Sequence, residues 1–239
     1  MPLPSEESRE VAFLHEIGSR IAAADALHEV LERIVVFVAD LVKCDSCFLY
    51  VCEGGELVLR ASKNPHPEAV DRLKLRMGEG ITGWVAEHRQ PVAVSGNAFQ
   101  DPRFQAIGGL PEDRYEAFLS VPILSRDRVV GVINLQHRLP HDHTPQEIQL
   151  ISTIGFLVGA EIEMARLETQ VSELSEQLET RKIVERAKGI LQRELGFNEN
   201  QAYSTLQRQS RQRRKSMKEI AEAIVLADDV KRGEPGSGS

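Results

Sequence analysis

The C-terminal fold is decided by residues 181–225, RKIVERAKGILQRELGFNENQAYSTLQRQSRQRRKSMKEIAEAIV, where two short polar breaks separate three amphipathic helical segments. Gly196 suits the left-handed residue that follows a helix, so the first segment is predicted to end there. Asn198 and Ser216 are predicted N-caps, each completed as a capping box by a Gln or Glu three residues later. The apolar residues spaced to line the buried faces are Ile183, Val184, Ala187, Ile190, Leu191, Ala202, Leu206, Ile220, Ala221, Ile224 and Val225.

The charge of this segment differs from that of the rest of the chain. Residues 181–232 contain 13 Lys plus Arg and 7 Asp plus Glu, a net charge of +6, whereas the whole chain of 239 residues carries −7. A small basic unit joined to an acidic body is typical of a module that binds a polyanion. The alternative is a solvated helix end, since cations also stabilise helix C-termini. Charge alone leaves both interpretations open.

Particular residues at fixed spacing narrow the choice. Ala187-Lys188-Gly189-Ile190-Leu191 is followed by Gly196, by Ala202-Tyr203 and by Ala221. In these residues the segment resembles the ANTAR domain, an RNA-binding antitermination module. The resemblance covers residues 181–225. It implies a three-helix domain that binds paired RNA hairpins with short loops and so prevents a transcription terminator from forming.

The candidate RNA-binding residues are the cations of this segment and one aromatic side chain. Arg186 and Lys188 are expected to be exposed on the first helix, and the resemblance makes them candidate phosphate contacts. Tyr203 has two interpretations, since its ring can fill the core of the bundle or stack on an unpaired base. The other candidates should attract the RNA backbone in a salt-sensitive way, and they are Arg208, Arg211, Arg213, Arg214, Lys215 and Lys218.

Length and composition bound the class of the protein. The chain has room for one medium domain and one small one, and its 41% hydrophobic and 27% charged residues are ordinary for a soluble protein. No apolar run approaches the roughly 20 residues of a membrane span, and the acidic, polar N-terminus is unlike a secretory signal. An odd number of cysteines, three, in a chain without a secretory signal indicates a reducing compartment. We therefore expect a cytoplasmic protein that does not enter membranes.

The N-terminal two thirds of the chain alternates helix and strand signals. Helices are predicted at 5–24 and 27–42. Another is predicted to begin at Thr144, which is a candidate N-cap followed by Pro145 at the first helical position and Glu147 at the third. The predicted strands are 46–51, 56–61, 91–94, 120–124 and 129–137. Helices at the two ends of an antiparallel sheet indicate an α+β domain.

Motifs in this region are more specific than its pattern. The glycine-rich turn Gly78-Glu79-Gly80-Ile81-Thr82-Gly83-Trp84 leads into a short helix at 84–87, and Ser120-Val121-Pro122-Ile123 and Val130-Gly131-Val132-Ile133-Asn134-Leu135 follow. In these residues the region 8–165 resembles a GAF domain, a sensory fold whose members bind many ligands or none. The resemblance is compatible with a small-molecule effector or with none, and its candidate pocket residues are Phe48, Tyr50, Phe104 and Asn134.

The helix that begins at Thr144 continues far beyond the GAF-like region. Apolar residues recur at heptad spacing, and no Pro or Gly occurs between residues 160 and 188. This pattern favours a parallel dimeric coiled coil, although a long helix packed on its own domain has the same spacing. The predicted dimer residues are Leu157, Met164, Leu167, Val171, Leu174 and Leu178. The predicted domains are a GAF domain at 1–160, a coiled-coil linker at 161–180, an ANTAR domain at 181–232 and a flexible tail at 233–239.

The sequence predicts neither a catalytic site nor a metal-binding site. Cys44, Cys47 and Cys52 are interpreted as small apolar residues, because a strand places Cys47 and Cys52 on opposite faces. We interpret His137, His141 and His143 as residues of an exposed loop, because no second group of metal ligands accompanies them. We therefore expect neither enzyme activity nor a bound metal.

Three classes of function remain open. The leading hypothesis is a homodimeric, signal-responsive antiterminator that binds two RNA hairpins in a leader transcript. The second is a DNA-binding regulator that uses the C-terminal helices as a helix-turn-helix, with its turn at 213–216. The third is a GAF enzyme such as a methionine sulfoxide reductase. That chemistry needs reactive thiols in the pocket, which fits poorly with cysteines confined to residues 44–52.

Overall fold

The computed structural model describes most of the chain. Residues 27–233 are described, apart from 65, 67, 107 and 108. The predicted helix at 5–24 and the end of the predicted tail at 233–239 lie outside the described residues. Two compact units divide between Arg166 and Leu167, and each unit has its own buried apolar core.

The N-terminal unit is built on a six-stranded antiparallel sheet with the strand order β3-β2-β1-β6-β5-β4. The five predicted strands are confirmed, and so is the α+β class. The short β3 was not predicted, because three residues are too few to show an alternating pattern. The strands are β1 (Ser46–Glu53), β2 (Glu56–Ser62), β3 (Lys74–Arg76), β4 (Val92–Val94), β5 (Ala117–Ser125) and β6 (Arg128–His137).

Helices cover both faces of this sheet. On one face lie α1 (Leu27–Val42) and the first part of α3 (Pro145–Leu195), and on the other lies α2 (Gly80–His88). Because successive side chains of a strand point to opposite faces, β1 contributes to both cores. Its residues on the α1 side are Cys47, Leu49 and Val51, and those on the α2 side are Phe48, Tyr50 and Cys52.

Helix α3 begins where the sequence predicts. Pro145 is its first residue, and the hydroxyl oxygen of Thr144 accepts a hydrogen bond of 3.1 Å from the backbone N–H of Glu147. The helix then continues for 51 residues. It approaches β5 so closely that a Cβ on Gly159 would lie 2.2 Å from the carbonyl oxygen of Leu124. Glycine is therefore required there by packing.

The composition of α3 corrects one expectation. The helix contains an 18-residue window of mean hydropathy 1.4, which is apolar enough to cross a membrane by length and composition. One third of that window is buried. Packing on the sheet accounts for that buried third. The buried residues of α3 in this core are Ile151, Ile154, Val158 and Ile162.

The C-terminal unit is a small helical bundle. Its first helix is the end of α3, and α4 (Glu199–Arg213) and α5 (Met217–Arg232) follow. Both predicted capping boxes are confirmed, at Asn198 and at Ser216, and α3 is followed by Gly196 with φ of 68°. The core is the predicted one, with two residues at its margin, Ile183 and Ile224. The buried residues are Val184, Ala187, Ile190, Leu191, Ala202, Leu206, Ile220, Ala221 and Val225.

Candidate nucleic-acid interface

A cluster of cations occupies the C-terminal end of α4, the turn after it and the start of α5. We call this cluster the basic turn, and it consists of Arg208, Arg211, Arg213, Arg214, Lys215 and Lys218. All of these residues are exposed except Lys218, which is half-buried. The helix α4 ends because Arg214 adopts a left-handed backbone with φ of 53°, and its N–H then caps carbonyl groups of the last turn.

The positive charge of the basic turn is only weakly compensated. Arg213 donates a hydrogen bond of 3.1 Å to the side-chain oxygen of Gln209, and Lys215 lies 3.6 Å from a carboxylate oxygen of Glu219. Among the residues that the structure describes, no ion pair engages Arg208, Arg211 or Arg214. These three guanidinium groups are therefore free to bind a polyanion.

Lys188 and Arg186 instead hold the bundle together. Lys188 is only 7% exposed, and its ammonium group donates to Glu199 at 2.8 Å and to Glu185 at 3.0 Å, so these carboxylates raise the pKa of Lys188. The prediction that Lys188 is exposed is therefore wrong. Its partner Glu199 lies on α4, so the position of Lys188 on the helical face of α3 could not reveal that the two residues are in contact. Arg186 is half-exposed as predicted, but it donates to Asp229 of α5 at 2.5 Å.

Further ion pairs join α3 to α5 or lie within α5. Arg193 donates to Asp228 at 2.7 Å, Lys231 donates to Glu194 at 3.0 Å, and Arg232 lies 3.2 Å from Asp228. Burial alone would raise the pKa of Asp228, but the bonds from Arg193 and Arg232 lower it overall. These cations of α3 and α5 are thus engaged with carboxylates, in contrast to Arg208, Arg211 and Arg214 of the basic turn.

Tyr203 lies at a groove of the C-terminal unit. Tyr203 is 44% exposed, so the interpretation as a core residue is wrong. The groove has a volume of about 460 Å³, which is in the range of small-ligand sites. Four of its α3 residues were not predicted, because they precede residue 181, the predicted start of the domain. The lining residues are Glu173, Glu176, Gln177, Thr180, Arg181, Val184, Tyr203 and Met217.

The candidate pocket of the N-terminal unit is nearly closed. Its cavity measures about 20 Å³, which is room for one water molecule, and Phe104 is the predicted pocket residue that lines it. The amide of Asn134 is engaged within the fold, because it accepts from Ser120 and donates to Thr82, both at 2.7 Å. Three of the four predicted pocket residues are fully buried in the sheet, namely Phe48, Tyr50 and Asn134.

Large apolar side chains form an exposed stripe along α3. Five of the six predicted dimer residues are between 48% and 62% exposed, at alternating spacings of three and four residues. We call them the apolar stripe: Met164, Leu167, Val171, Leu174 and Leu178. The sixth, Leu157, is half-buried and packs against the core of the N-terminal unit. An exposed apolar stripe of this kind is typical of a surface that binds another protein chain.

The three cysteines do not have the environment of reactive thiols. Cys44 and Cys47 are buried on the α1 side of the sheet, and burial raises the pKa of Cys44 to about 12 and that of Cys47 well above its ordinary value. Cys52 is half-buried on the opposite side, as predicted, and burial raises its pKa as well. Because the thiolate is the nucleophile, none of these side chains is activated.

The three neighbouring histidines are packed together, so the exposed-loop interpretation is wrong. His137 is the buried last residue of β6, and its ring stacks on that of His141 with 4.0 Å between the ring centres. The side chain of His143 is fully buried, and its Nδ1 lies 2.9 Å from Glu147. Burial, reinforced by His141 and His143, lowers the pKa of His137 to about 4. Glu147 belongs to α3, and it contacts His143 although His143 precedes the helix.

These features define a class of protein. An α+β unit with the architecture of a sensor precedes a helical module whose exposed charge is positive. The chain belongs to the GAF domain family, whose profile matches residues 26–162, and an ANTAR domain follows at residues 172–225. An ANTAR domain implies RNA binding.

Relatives and solved structures agree with this assignment. The transcriptional regulatory protein PdtaR of Mycobacterium tuberculosis is 46% identical over 76 residues, which is 32% of this chain and 37% of PdtaR. A phosphoenolpyruvate-dependent phosphotransferase system protein of Escherichia coli is 27% identical over 64% of this chain and 21% of its own. The GAF domain of a Coxiella burnetii phosphotransferase superposes with a TM-score of 0.62 and 28% identity, covering 67% of this chain and 96% of that domain. The chain thus spans well under half the length of these two sequence relatives.

Proposed function

We propose that this protein is a homodimeric regulator that binds hairpin RNA through its ANTAR domain and prevents transcription termination under the control of its GAF domain. The observation that carries the proposal is the exposed basic turn, which lies within the segment that matches the ANTAR domain. The similarity to PdtaR, a transcriptional regulatory protein, supports a role in transcription.

The basic turn and the groove have different parts in RNA binding. The guanidinium groups of the basic turn, chief among them Arg208, Arg211 and Arg214, neutralise backbone phosphates and provide affinity that depends on salt. Tyr203 stacks on an unpaired loop base that enters the groove. Glu176 and Gln177 line the groove and offer hydrogen-bond acceptors to the amino group of that base. Lys188 and Arg186 support binding indirectly, by holding the helices in place.

The apolar stripe joins two chains. Leu167, Val171 and Leu174 repeat with heptad spacing, which is the pattern of a two-stranded parallel coiled coil. A dimer has two ANTAR domains, one for each of two hairpins in a leader transcript. Replacing Val171 and Leu174 with Asp should produce monomers in sedimentation experiments. Leu139→Asp, at a position that is 74% exposed outside the stripe, is the control that should leave the dimer intact.

The GAF domain is the sensor, and its effector is a small molecule of unidentified structure. The cavity of about 20 Å³ beside α2 is the place where such a molecule enters, by displacing the loop that carries Phe104. The protein acts in the cytoplasm and is not an enzyme. Support for the last point comes from the raised pKa values of Cys44, Cys47 and Cys52, since a reductase reaction needs an activated thiol.

A gel-shift titration tests the RNA hypothesis. The purified protein is titrated against an RNA with two short hairpins, an RNA with one hairpin and a duplex DNA, each at two salt concentrations. We expect the double hairpin to bind most tightly and the affinity to fall with salt. Arg211→Ala should weaken binding and reduce the salt slope by about 1, as for one lost phosphate contact. Arg72→Ala, an exposed arginine of the GAF domain, should change neither.

The alternative is a DNA-binding regulator. One observation favours it: α4 and α5 are joined by only three residues, Arg214 to Ser216, which is the length of a helix-turn-helix turn. In that case α5 is the recognition helix and duplex DNA competes better than hairpin RNA. Preference for duplex DNA in the same titration would replace the RNA proposal with this one.

A further inference from the structure

Four side chains converge where the GAF sheet meets α3. His137 ends β6, His141 and His143 belong to the loop that follows, and Glu147 lies in the first turn of α3. Each offers one donor atom, and these four atoms all lie within 4.8 Å of one another. The ring centres are 4.0 Å apart for His137 and His141, and 4.8 Å apart for His141 and His143.

The carboxylate of Glu147 lies against two of the three histidines. One oxygen lies 2.9 Å from Nδ1 of His143, and the other lies 3.3 Å from Nε2 of His141. Tetrahedral Zn²⁺ with bonds of about 2.0–2.1 Å holds its ligand atoms roughly 3.4 Å apart. Rotation of the side chains that moves each donor atom by about 1 Å therefore suffices to bring the four atoms around one ion.

A buried nitrogen without a partner points to the same ligand. His137 is 6% exposed, and its Nε2 makes no hydrogen bond within the described part of the chain. Nε2 of His143 is likewise buried without a partner. Leaving such an atom unpaired costs about 1–3 kcal/mol, so native proteins rarely tolerate it. A metal ion bound at this position would satisfy the nitrogen of His137 directly.

We propose that His137, His141, His143 and Glu147 form a binding site for one Zn²⁺ ion or a similar divalent transition metal. Three imidazoles and one carboxylate suit zinc and its neighbours, whereas Mg²⁺ and Ca²⁺ prefer oxygen ligands. All four protein ligands come from one stretch of chain, so the ion joins the last strand of the sheet to the start of α3. The proposal is independent of RNA binding and adds a metal to the GAF domain.

Metal binding is tested on the untagged full-length chain after treatment with EDTA. Equilibrium dialysis against micromolar Zn²⁺, followed by metal analysis, should find one ion per chain, and dialysis against Mg²⁺ should find none. Co²⁺ should give the visible absorption of a tetrahedral site, and Zn²⁺ should remove it. His141→Ala and His143→Ala should each weaken Zn²⁺ binding about 100-fold or more, since losing an outer-shell partner alone costs 10–100-fold.

The matched control is His28→Ala, which removes an exposed histidine of α1, away from the four proposed ligands and from Trp84, and should bind Zn²⁺ as the unaltered chain does. Fluorescence of Trp84 reports whether each variant is folded. If His143→Ala does not fold, His141→Ala decides alone, because the side chain of His141 is 35% exposed and tolerates truncation. An unaltered chain that binds no Zn²⁺, or a folded His141→Ala chain that binds it equally well, overturns the proposal.

Discussion

Arg214 occupies a backbone conformation that arginine disfavours, and replacing it with glycine should raise stability while lowering RNA affinity. Its φ of 53° and ψ of 39° place it in the left-handed region. This region costs an L-residue about 1–2 kcal/mol relative to the right-handed one, and glycine avoids that cost. Glycine also makes the unfolded chain more flexible, which lowers the free energy of unfolding by about 0.4–1 kcal/mol. The expected net gain for Arg214→Gly is about 0.5–1 kcal/mol in the free energy of unfolding.

RNA binding should change in the opposite direction. The guanidinium of Arg214 is exposed and has no ion pair within the described residues, so under the proposed function its loss removes one phosphate contact and no contact within the fold. The salt slope of RNA affinity should fall by about 1. Arg214→Lys should keep the slope, since lysine also neutralises phosphate, and should gain no stability.

Arg126→Gly is the matched control. Arg126 is also exposed, with φ of 54°, but it lies in the turn between β5 and β6 of the GAF domain. The single tryptophan, Trp84, reports unfolding of that domain, and circular dichroism reports both. Arg126→Gly should move the tryptophan transition and leave RNA affinity unchanged. An Arg214→Gly protein that is less stable, or that keeps its full salt slope, refutes the reasoning.

Three other substitutions test packing and charge. Gly159→Ala should destabilise the GAF domain by about 1–3 kcal/mol in tryptophan-monitored denaturation, because its Cβ would meet the carbonyl of Leu124. Gly189→Ala on the same helix should stabilise the ANTAR domain by about 0.5–1 kcal/mol in denaturation followed by circular dichroism, since no described atom lies within 4 Å of the new Cβ. Burial raises the pKa of Glu112, but hydrogen bonds from Asn64 and His66 lower it overall, so its contribution to stability is present above its ordinary pKa of 4.5 and lost as the pH falls further. Glu112→Gln should remove that part of the acid sensitivity in denaturation curves recorded between pH 3 and 6.

Local signals in the sequence predicted most of the architecture. The predicted C-terminal end of the helix at 27–42 agrees with that of α1, and the caps at Asn198 and Ser216 lie where capping boxes predict. Caps and periodic apolar faces depend on neighbours in sequence, which is why they can be read without coordinates. The strand β3 was not predicted, because it is defined by its pairing with β2 rather than by a local sequence pattern.

The site was harder to predict because its decisive contacts join distant residues. Lys188 has the spacing of an exposed residue on α3, but Glu199 reaches it from α4. The ring of Tyr203 fits a buried face by periodicity, yet it lies at the margin of the bundle. His143 and Glu147 have the spacing of helical neighbours, but His143 precedes the helix. In each case burial and charge are set by tertiary contacts that no periodic pattern encodes.

The buried cysteines make this chain convenient for distance measurements. A pKa of about 12 for Cys44, against an ordinary value of 9.0, reduces its thiolate fraction roughly a thousandfold. Cys47 is equally shielded, so a maleimide probe should react almost entirely with a cysteine introduced on the surface, once Cys52 has been changed to Ser. Spin labels or fluorophores placed at the exposed neighbours Ser172 or Gln212 would then test chain pairing and RNA contact without removing a residue of the apolar stripe or the basic turn.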